Sequence, residues 1–231
     1  MTPGEMQPNN YRSCRPRRQL VILCPGAAAE SRGSAMAGSD PLARQGLAIV
    51  IMGVSGCGKS TVAALLAEAL GCSFIEADNY HSEANKAKMS KGIPLSDADR
   101  YPWLESLQDA IREHLDRGED VVASCSALQL KYREVLRAAD GSYKPGSYAT
   151  CRVKFVCLKA SAEVISERMK RRSKEGKHFM PASLLQSQLN LLQIDADEGI
   201  TEFDAILRPE DIVHNTIAGF KDELASTIAY S

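Results

Sequence analysis

The sequence predicts an α/β fold in which a five-stranded parallel sheet carries helices on both faces. From residue 47 onward, short apolar runs rich in β-forming residues alternate with longer stretches of helical periodicity, an order that is typical of βαβ units. The first run, residues 47–52, is apolar at every position, as expected for a central strand that is buried on both faces. The length of 231 residues allows one such domain with an appendage but not two full domains.

The helices and strands follow one another with recognisable boundaries. Apolar residues at helical spacing predict a first helix over residues 59–70. A long helix is predicted from a capping-box-like start at Ser96 and Asp99 to Arg117, where Gly118 ends it. The other strands are predicted at residues 73–76, 121–123, 153–158 and 203–207, and the other helices at residues 82–91, 131–139, 161–171, 181–192 and 212–230.

Residues 1–46 differ in composition from the rest of the chain. Prolines interrupt them at five positions, no apolar periodicity lasts two helical turns, and six arginines oppose three acidic residues. This composition predicts an unfolded extension, or an alternative start site upstream of Met36, ahead of a folded domain over residues 47–231. The arginines and the apolar residues 20–23 also give a weak similarity to a transit peptide. Whether residues 1–46 are retained or act as a targeting segment therefore stays open.

Charge and composition exclude several classes of function. The chain has 28 Lys and Arg against 29 Asp and Glu, a formal net charge of -1, which gives no overall attraction to nucleic acid or to an acidic membrane. Its apolar runs are far shorter than the roughly 20 residues that span a bilayer, so we expect a soluble protein with neither partner. Seven cysteines without a C-x-x-C pair predict free thiols in the cytoplasm.

A glycine-rich segment carries the strongest functional signal. Residues 53–60, Gly-Val-Ser-Gly-Cys-Gly-Lys-Ser, match G-x-x-x-x-G-K-[ST] between a buried strand and a helix, where the phosphate-binding mechanism requires them. Lys59 supplies charge to the β- and γ-phosphates, and the Ser60 hydroxyl binds Mg²⁺. The segment therefore predicts a P-loop NTPase fold that binds a nucleoside triphosphate. The predicted nucleotide-binding residues here are Gly53, Ser55, Gly56, Cys57, Gly58, Lys59, Ser60 and Thr61.

Two acidic residues follow the second predicted strand, where a parallel sheet opens into its ligand crevice. Glu76 and Asp78 are two positions apart, so both side chains face one side of an extended segment. One carboxylate can orient a magnesium-bound water while the other accepts a proton from an attacking hydroxyl. The strand at residues 121–123 ends without a carboxylate, and the chain has no N-K-x-D segment, which argues against motor, transporter and GTPase classes.

Further segments are together specific to one family of small-molecule kinases. They are DNYH (78–81), KM (88–89), GIPL (92–95), DADR (97–100), PWL (102–104), CSAL (125–128), YR (132–133), HFM (178–180) and LQSQ (185–188). Through them and the phosphate loop, residues 49–193 resemble the gluconate kinases, within the shikimate-kinase-like and adenylate-kinase-like enzymes. The resemblance implies a three-layer P-loop fold with a mobile lid and ATP-dependent phosphorylation of D-gluconate at its 6-hydroxyl.

The resemblance also implies roles for individual residues. Asp78 takes the position of the general base, and Glu76 that of a group that orients magnesium. A sugar acid needs a cation for its carboxylate and polar groups for its hydroxyls, which predicts substrate-binding residues beside the crevice. The predicted substrate-binding residues are Asp78, His81, Arg100, Ser126 and Arg133, and the predicted metal-binding residues are Ser60 and Glu76.

The basic segment over residues 168–177 predicts the lid. Cations that close over the triphosphate neutralise charge on the transferred phosphoryl group, and closure excludes water. We expect Arg168 to bind nucleotide and Arg172 to take part in catalysis, with Arg171 as the alternative to Arg172.

Three features depart from the family pattern. Gln129 and Leu130 stand where the family usually has basic residues, Lys177 interrupts the usual Gly-His-Phe of the lid, and the loop over residues 140–150 is lengthened. Two alternatives therefore remain: a kinase for another hydroxylated acceptor, such as shikimate or a nucleoside monophosphate, and a nucleotide-binding protein without catalysis. Related kinases are often dimers, so the resemblance suggests a homodimer.

Overall fold

The computed structural model describes residues 45–174 and 184–228, with side chains described for residues 45–171 and 184–224. The predicted N-terminal extension lies outside this part except for its last two residues. Of the predicted lid, residues 168–177, only the side chains of residues 168–171 belong to the described part.

Five strands form one sheet with the order β2-β3-β1-β4-β5. All four neighbouring pairs are parallel, which confirms the predicted five-stranded parallel sheet. The strands are β1 (Ala48–Met52), β2 (Ser73–Glu76), β3 (Val121–Ser124), β4 (Val153–Lys159) and β5 (Thr201–Asp204). The central position of β1 brings the segment that follows it, the phosphate loop, to the middle of the carboxyl edge of the sheet.

Helices cover both faces of the sheet, as predicted. They are α1 (Lys59–Leu70), α2 (Glu83–Ser90), α3 (Asp97–Asp116), α4 (Leu130–Arg137), α5 (Ala162–Lys174), α6 (Leu184–Leu191), α7 (Pro209–Gly219) and α8 (Lys221–Ile228). Alternate residues of β1 face opposite layers: Ile49 and Ile51 pack with α1, α5 and α7, whereas Val50 and Met52 pack with α3 and α4. The fold is therefore a three-layer α/β sandwich with two buried cores.

The last strand and the closing helix have boundaries that differ from the predicted ones. Strand β5 ends at Asp204 rather than at residue 207, because the Asp204 carboxylate accepts a hydrogen bond from Ile206 N–H at 2.8 Å and its carbonyl accepts one from Leu207 N–H at 3.1 Å. These bonds form a turn before Pro209 starts α7. The single closing helix predicted over residues 212–230 is two helices, α7 and α8, which meet at Phe220.

Helix hydropathy and the state of the cysteines are two further properties of the described part. Within the described ranges, every helix is too short or too polar to cross a bilayer. The five cysteines of the described part are all free thiols.

Candidate active site

The phosphate loop between β1 and α1 has a backbone path that needs glycine. Gly53 has a φ of 135°, and a Cβ added there would lie 2.7 Å from the carbonyl oxygen of Leu158. Its N–H donates to the Ser126 carbonyl at 3.3 Å, so the loop is fixed against β3 and β4 as it leaves the sheet. Gly56 and Gly58 also have positive φ values, of 85° and 108°, a region that disfavours side chains.

The loop leads into the N-terminus of α1, which is suited to an anion. Gly58 is its N-cap and supplies no side-chain cap, so N–H groups of the first turn are available to a phosphate. Lys59 is the first helical residue, and its Nζ donates to the Val54 carbonyl at 3.1 Å. Ser60 and Thr61 are exposed beside it, whereas the Cys57 side chain is buried under the loop.

Gln188 of α6 contacts the phosphate loop, and the sequence analysis did not include it among the site residues. Its Oε1 accepts a hydrogen bond from the Ser55 N–H at 2.6 Å, within the loop that is to receive phosphate. The residue lies in the LQSQ segment that carries the family resemblance, but sequence spacing gives no sign of a contact across 133 positions. Gln188 and Ser55 both line a cleft whose walls also include Lys59, Asp78 and Arg100.

Asp78 lies in the same cleft as Lys59 and Ser126. Strand β2 ends at Glu76, and Asp78 belongs to the 3-10 helix Ala77–Tyr80. The Asp78 side chain therefore reaches the cleft from a helical turn. The prediction that Glu76 and Asp78 lie on one side of an extended segment is wrong, because the segment is extended only as far as Glu76. Trp103 of α3 fixes this turn, because its indole N–H donates to the Ala77 carbonyl at 2.7 Å.

Glu76 is held at the end of the sheet by its neighbour in β3. The Ser124 hydroxyl donates a hydrogen bond to Glu76 Oε1. The described residues contain no group of three or more His, Cys, Asp or Glu side chains placed to hold a metal ion. The exposed Ser60 hydroxyl and the Glu76 carboxylate at the end of β2 are oxygen donors of the kind that fits Mg²⁺, which keeps several waters and is held largely by the phosphates of its substrate.

His81 lines the same cleft as Asp78. Its ring stacks on Trp103 with centroids 4.1 Å apart and planes 19° from parallel, and it is 7% exposed. Burial, together with the nearby charges of Lys86 and Arg100, lowers the pKa of His81 from 6.5 to about 4. The side chain is therefore neutral near pH 7 and offers a hydrogen bond rather than a charge.

The buried, neutral state of His81 predicts a pH dependence of stability. In the unfolded chain its pKa returns to about 6.5, so between about pH 6.5 and pH 4 the unfolded state binds a proton that the folded state does not. The free energy of unfolding should therefore fall as the pH is lowered through this window, by at most about 1.4 kcal/mol per pH unit from this group. Urea unfolding at about pH 7, 6 and 5 measures the slope.

His81→Phe is the matched comparison, because it keeps an aromatic ring against Trp103 and removes the titrating group. The variant should lose stability less steeply than the wild type as the pH falls. Identical slopes in the two proteins would show that His81 does not titrate on unfolding in this range.

Arg100 brings a positive charge to the part of the cleft near His81. Its Nη1 donates to the Tyr132 hydroxyl at 3.1 Å, and its guanidinium lies 5.4 Å from the centre of that ring. The Tyr132 hydroxyl donates in turn to Asp97 at 2.6 Å. These contacts orient Arg100 where it lines the cleft with Ser126 and His81.

The structure corrects the prediction that Arg133 binds substrate. Arg133 is 0% exposed and lies behind the cleft, where its Nε donates to Glu198 at 2.7 Å and its Nη1 to the Ala127 carbonyl at 2.8 Å. Burial alone would raise the pKa of Glu198, but hydrogen bonds from Arg133 and Arg137 lower it below its usual value. The arginine is thus paired inside the protein because its carboxylate partner, distant in sequence, is buried with it.

The predicted nucleotide contact Arg168 lies on the other side of the phosphate loop. Its guanidinium donates to the Cys57 carbonyl at 3.3 Å and to the Ala205 carbonyl at 2.8 Å. Together with Arg171 and Thr61 it lines a second cleft beside the loop. The side chain of Arg172 is outside the described part of the chain, so the choice between Arg171 and Arg172 as the lid arginine stays a prediction.

Comparison with known proteins agrees with this geometry. Residues 49–193 match the model of a family described as an AAA domain. The chain is 54% identical over 172 residues to a gluconokinase of Arabidopsis thaliana, covering 74% of this chain and 90% of that protein. It is 43% identical over 176 residues to a gluconokinase of Gluconobacter oxydans, covering 76% and 92%.

Solved structures of similar sequence are also kinases of this kind. A gluconokinase from Sinorhizobium meliloti 1021 matches with a TM-score of 0.63 at 43% identity, over 81% of this chain and 98% of that one. A sugar kinase from Janibacter sp. HTCC2649 matches with a TM-score of 0.66 at 42% identity, over 75% and 93%. Because these identities extend over most of the folded region, the chain belongs to the gluconokinase family.

Proposed function

We propose that the protein transfers the γ-phosphoryl group of ATP to the 6-hydroxyl of D-gluconate, giving 6-phospho-D-gluconate and ADP. The observation that carries this proposal is one cleft that joins Lys59 of the phosphate loop, the carboxylate of Asp78 and the cation of Arg100. The gluconokinase names of the relatives support the choice of acceptor.

The donor half of the reaction takes place at the phosphate loop. The glycine-rich backbone of the loop and the uncapped first turn of α1 surround the phosphates, and Lys59 exchanges its contact with the Val54 carbonyl for them. Ser60 and Glu76 would hold Mg²⁺, and the ion would supply positive charge that neutralises the phosphates of the nucleotide. Arg168, with Arg171 or Arg172, covers the nucleotide from the lid side.

The acceptor half of the reaction is assigned to the part of the cleft lined by His81, Arg100 and Ser126, which we call the acceptor side. Gluconate has one carboxylate and a chain of hydroxyls, so it requires one cation and several uncharged hydrogen-bonding groups. Arg100 fits the carboxylate, while neutral His81 and the Ser126 hydroxyl fit the hydroxyls. Asp78 then accepts the proton of the attacking 6-hydroxyl, which makes the hydroxyl oxygen a better nucleophile.

An acceptor panel tests this proposal. The purified protein with ATP and Mg²⁺ should release ADP fastest with D-gluconate, and the product should be 6-phosphogluconate. A preference for shikimate or a nucleoside monophosphate would replace the proposed acceptor. ATP binding without any acceptor-dependent ADP release would indicate a nucleotide-binding protein without catalysis.

The homodimer and the cytosolic location remain proposals of the same kind. The free thiols of the described cysteines support a reducing compartment. The mass in solution, measured by light scattering with and without ATP, tests the homodimer.

A further inference from the structure

Three charged side chains form a buried cluster behind the acceptor side of the cleft. Arg133 and Arg137 of α4 both bind Glu198, which lies in the 3-10 helix Ala196–Glu198. Their exposures are 0%, 1% and 5%. Buried charges are tolerated where they are paired and hydrogen-bonded, and Glu198 accepts bonds from both arginines. Pairing accounts for the presence of the cluster, so its further role depends on what else each arginine contacts.

The two arginines differ in those other contacts. Arg137 donates to Glu134 at 2.8 Å, and its guanidinium packs over the rings of Tyr148 and Phe155. Arg133 instead donates to two backbone carbonyls, those of Ala127 and Gln193, each at 2.8 Å. Arg137 therefore serves only the packing behind the cleft in the described part of the chain, whereas Arg133 reaches two segments that form the cleft.

The first of these segments follows β3 and carries Ser126. Ala127 has a φ of 42°, a conformation that costs a non-glycine residue free energy and persists where its surroundings hold it. The bond from Arg133 to the Ala127 carbonyl is such a restraint. The preceding carbonyl, that of Ser126, accepts the N–H of Gly53, so the restrained backbone is in direct contact with the start of the phosphate loop.

The second segment, residues 192–193, directly follows α6. The Gln193 N–H donates to the Leu128 carbonyl at 2.8 Å, while the Gln193 carbonyl accepts from Arg133. The same helix places Gln188 against the Ser55 N–H. Arg133 thus ties together two segments that contact the phosphate loop at different residues, the first directly and the second through α6.

We propose that Arg133 is a positioning residue for phosphoryl transfer, which acts by fixing the backbone of residues 126–128 and of residues 192–193 relative to the phosphate loop. This inference rests on the proposed function, because it concerns the alignment of acceptor and donor in that cleft. Arg133 itself touches neither substrate. Misalignment of reacting groups by about 1 Å costs on the order of a hundredfold in rate, so a modest loss of this restraint has a measurable effect.

The experiment compares Arg133→Lys with Arg137→Lys. Both variants keep a buried positive charge beside Glu198, and both should lower the melting temperature. At the same folded fraction, Arg133→Lys should lower kcat with gluconate by about tenfold to a hundredfold. Its dissociation constant for ATP should change by less than about threefold, because the loop N–H groups and Lys59 are intact. Arg137→Lys should retain the wild-type kcat within about twofold.

Amide hydrogen exchange on the same proteins needs no acceptor. The N–H groups of Gly53 and Gln193 donate to residues 126–128, so they should exchange faster in Arg133→Lys than in Arg137→Lys. Equal exchange and equal kcat in the two variants would overturn the inference. Two results together would separate the inference from the proposed function. If Arg133→Lys exchanges faster than Arg137→Lys but the wild-type protein does not phosphorylate gluconate, the positioning role is supported and the proposed acceptor is rejected.

Glu198→Asp provides a second variant if Arg133→Lys does not fold. It keeps all three charges but shortens the carboxylate arm that orients Arg133. The inference requires the same loss of kcat and faster exchange at Gly53 and Gln193. A folded Glu198→Asp protein with wild-type kcat and exchange would contradict it.

Discussion

Replacing Asp78 by asparagine should lower kcat for gluconate phosphorylation by about 10²–10⁴, with little change in ATP affinity. Asparagine has nearly the shape of aspartate but cannot accept the proton of the attacking hydroxyl. Asp78 is exposed at the cleft, so the change leaves no buried group unpaired and the fold should persist. Steady-state kinetics with gluconate and calorimetric titration with ATP measure the two effects separately.

Glu83→Gln is the matched control for Asp78→Asn. Glu83 lies on α2 with a side chain 90% exposed, and its replacement removes one carboxylate from the same region. This control should keep the wild-type kcat. Equal losses of kcat and ATP affinity in Asp78→Asn would show that Asp78 has a structural role rather than that of a general base.

The second large effect is expected for Lys59→Ala. Removing the ammonium group should lower kcat/KM for ATP by about 10²–10³, because the charge that develops on the transferred phosphoryl group loses its nearest fixed cation. The helix should remain folded, since alanine is the best helix former and the described contact of Nζ is a single bond to the Val54 carbonyl. A coupled assay of ADP release gives the kinetics, and circular dichroism checks the fold.

Lys91→Ala is the comparison for Lys59→Ala. Lys91 is exposed at the end of α2, so this variant removes one positive charge without touching the phosphate loop. It should have wild-type kinetics. Unchanged turnover in Lys59→Ala itself would refute the role of Lys59 in binding phosphate.

The parts of the fold that follow from local sequence were predictable. The apolar run before Gly53 and the helical spacing after Lys59 specify β1, the phosphate loop and α1 within one short stretch of chain. Ser96 and Asp99 form the predicted capping box at the start of α3. In each case, the residues that determine the structure are neighbours, so their pattern is visible without knowledge of the tertiary contacts.

The parts of the site that depend on distant partners were not predictable. Arg133 was expected in the cleft because its type suits a sugar acid, but Glu198, 65 positions away, holds it in the interior. Gln188 reaches Ser55 across 133 positions. Asp78 reaches the cleft through a 3-10 turn whose carbonyl is held by Trp103, again from another element. Residue type thus predicts the chemistry, while placement requires the packed structure.

Trp103 is the chain's one tryptophan, and its indole ring lines the cleft and stacks on His81. Indole emission depends on the polarity and the quenching groups around the ring. Because both rings line the cleft proposed for the acceptor, we expect binding of a sugar acid there to change the indole emission. The native protein would then report acceptor occupancy without an attached label and without interference from a second tryptophan.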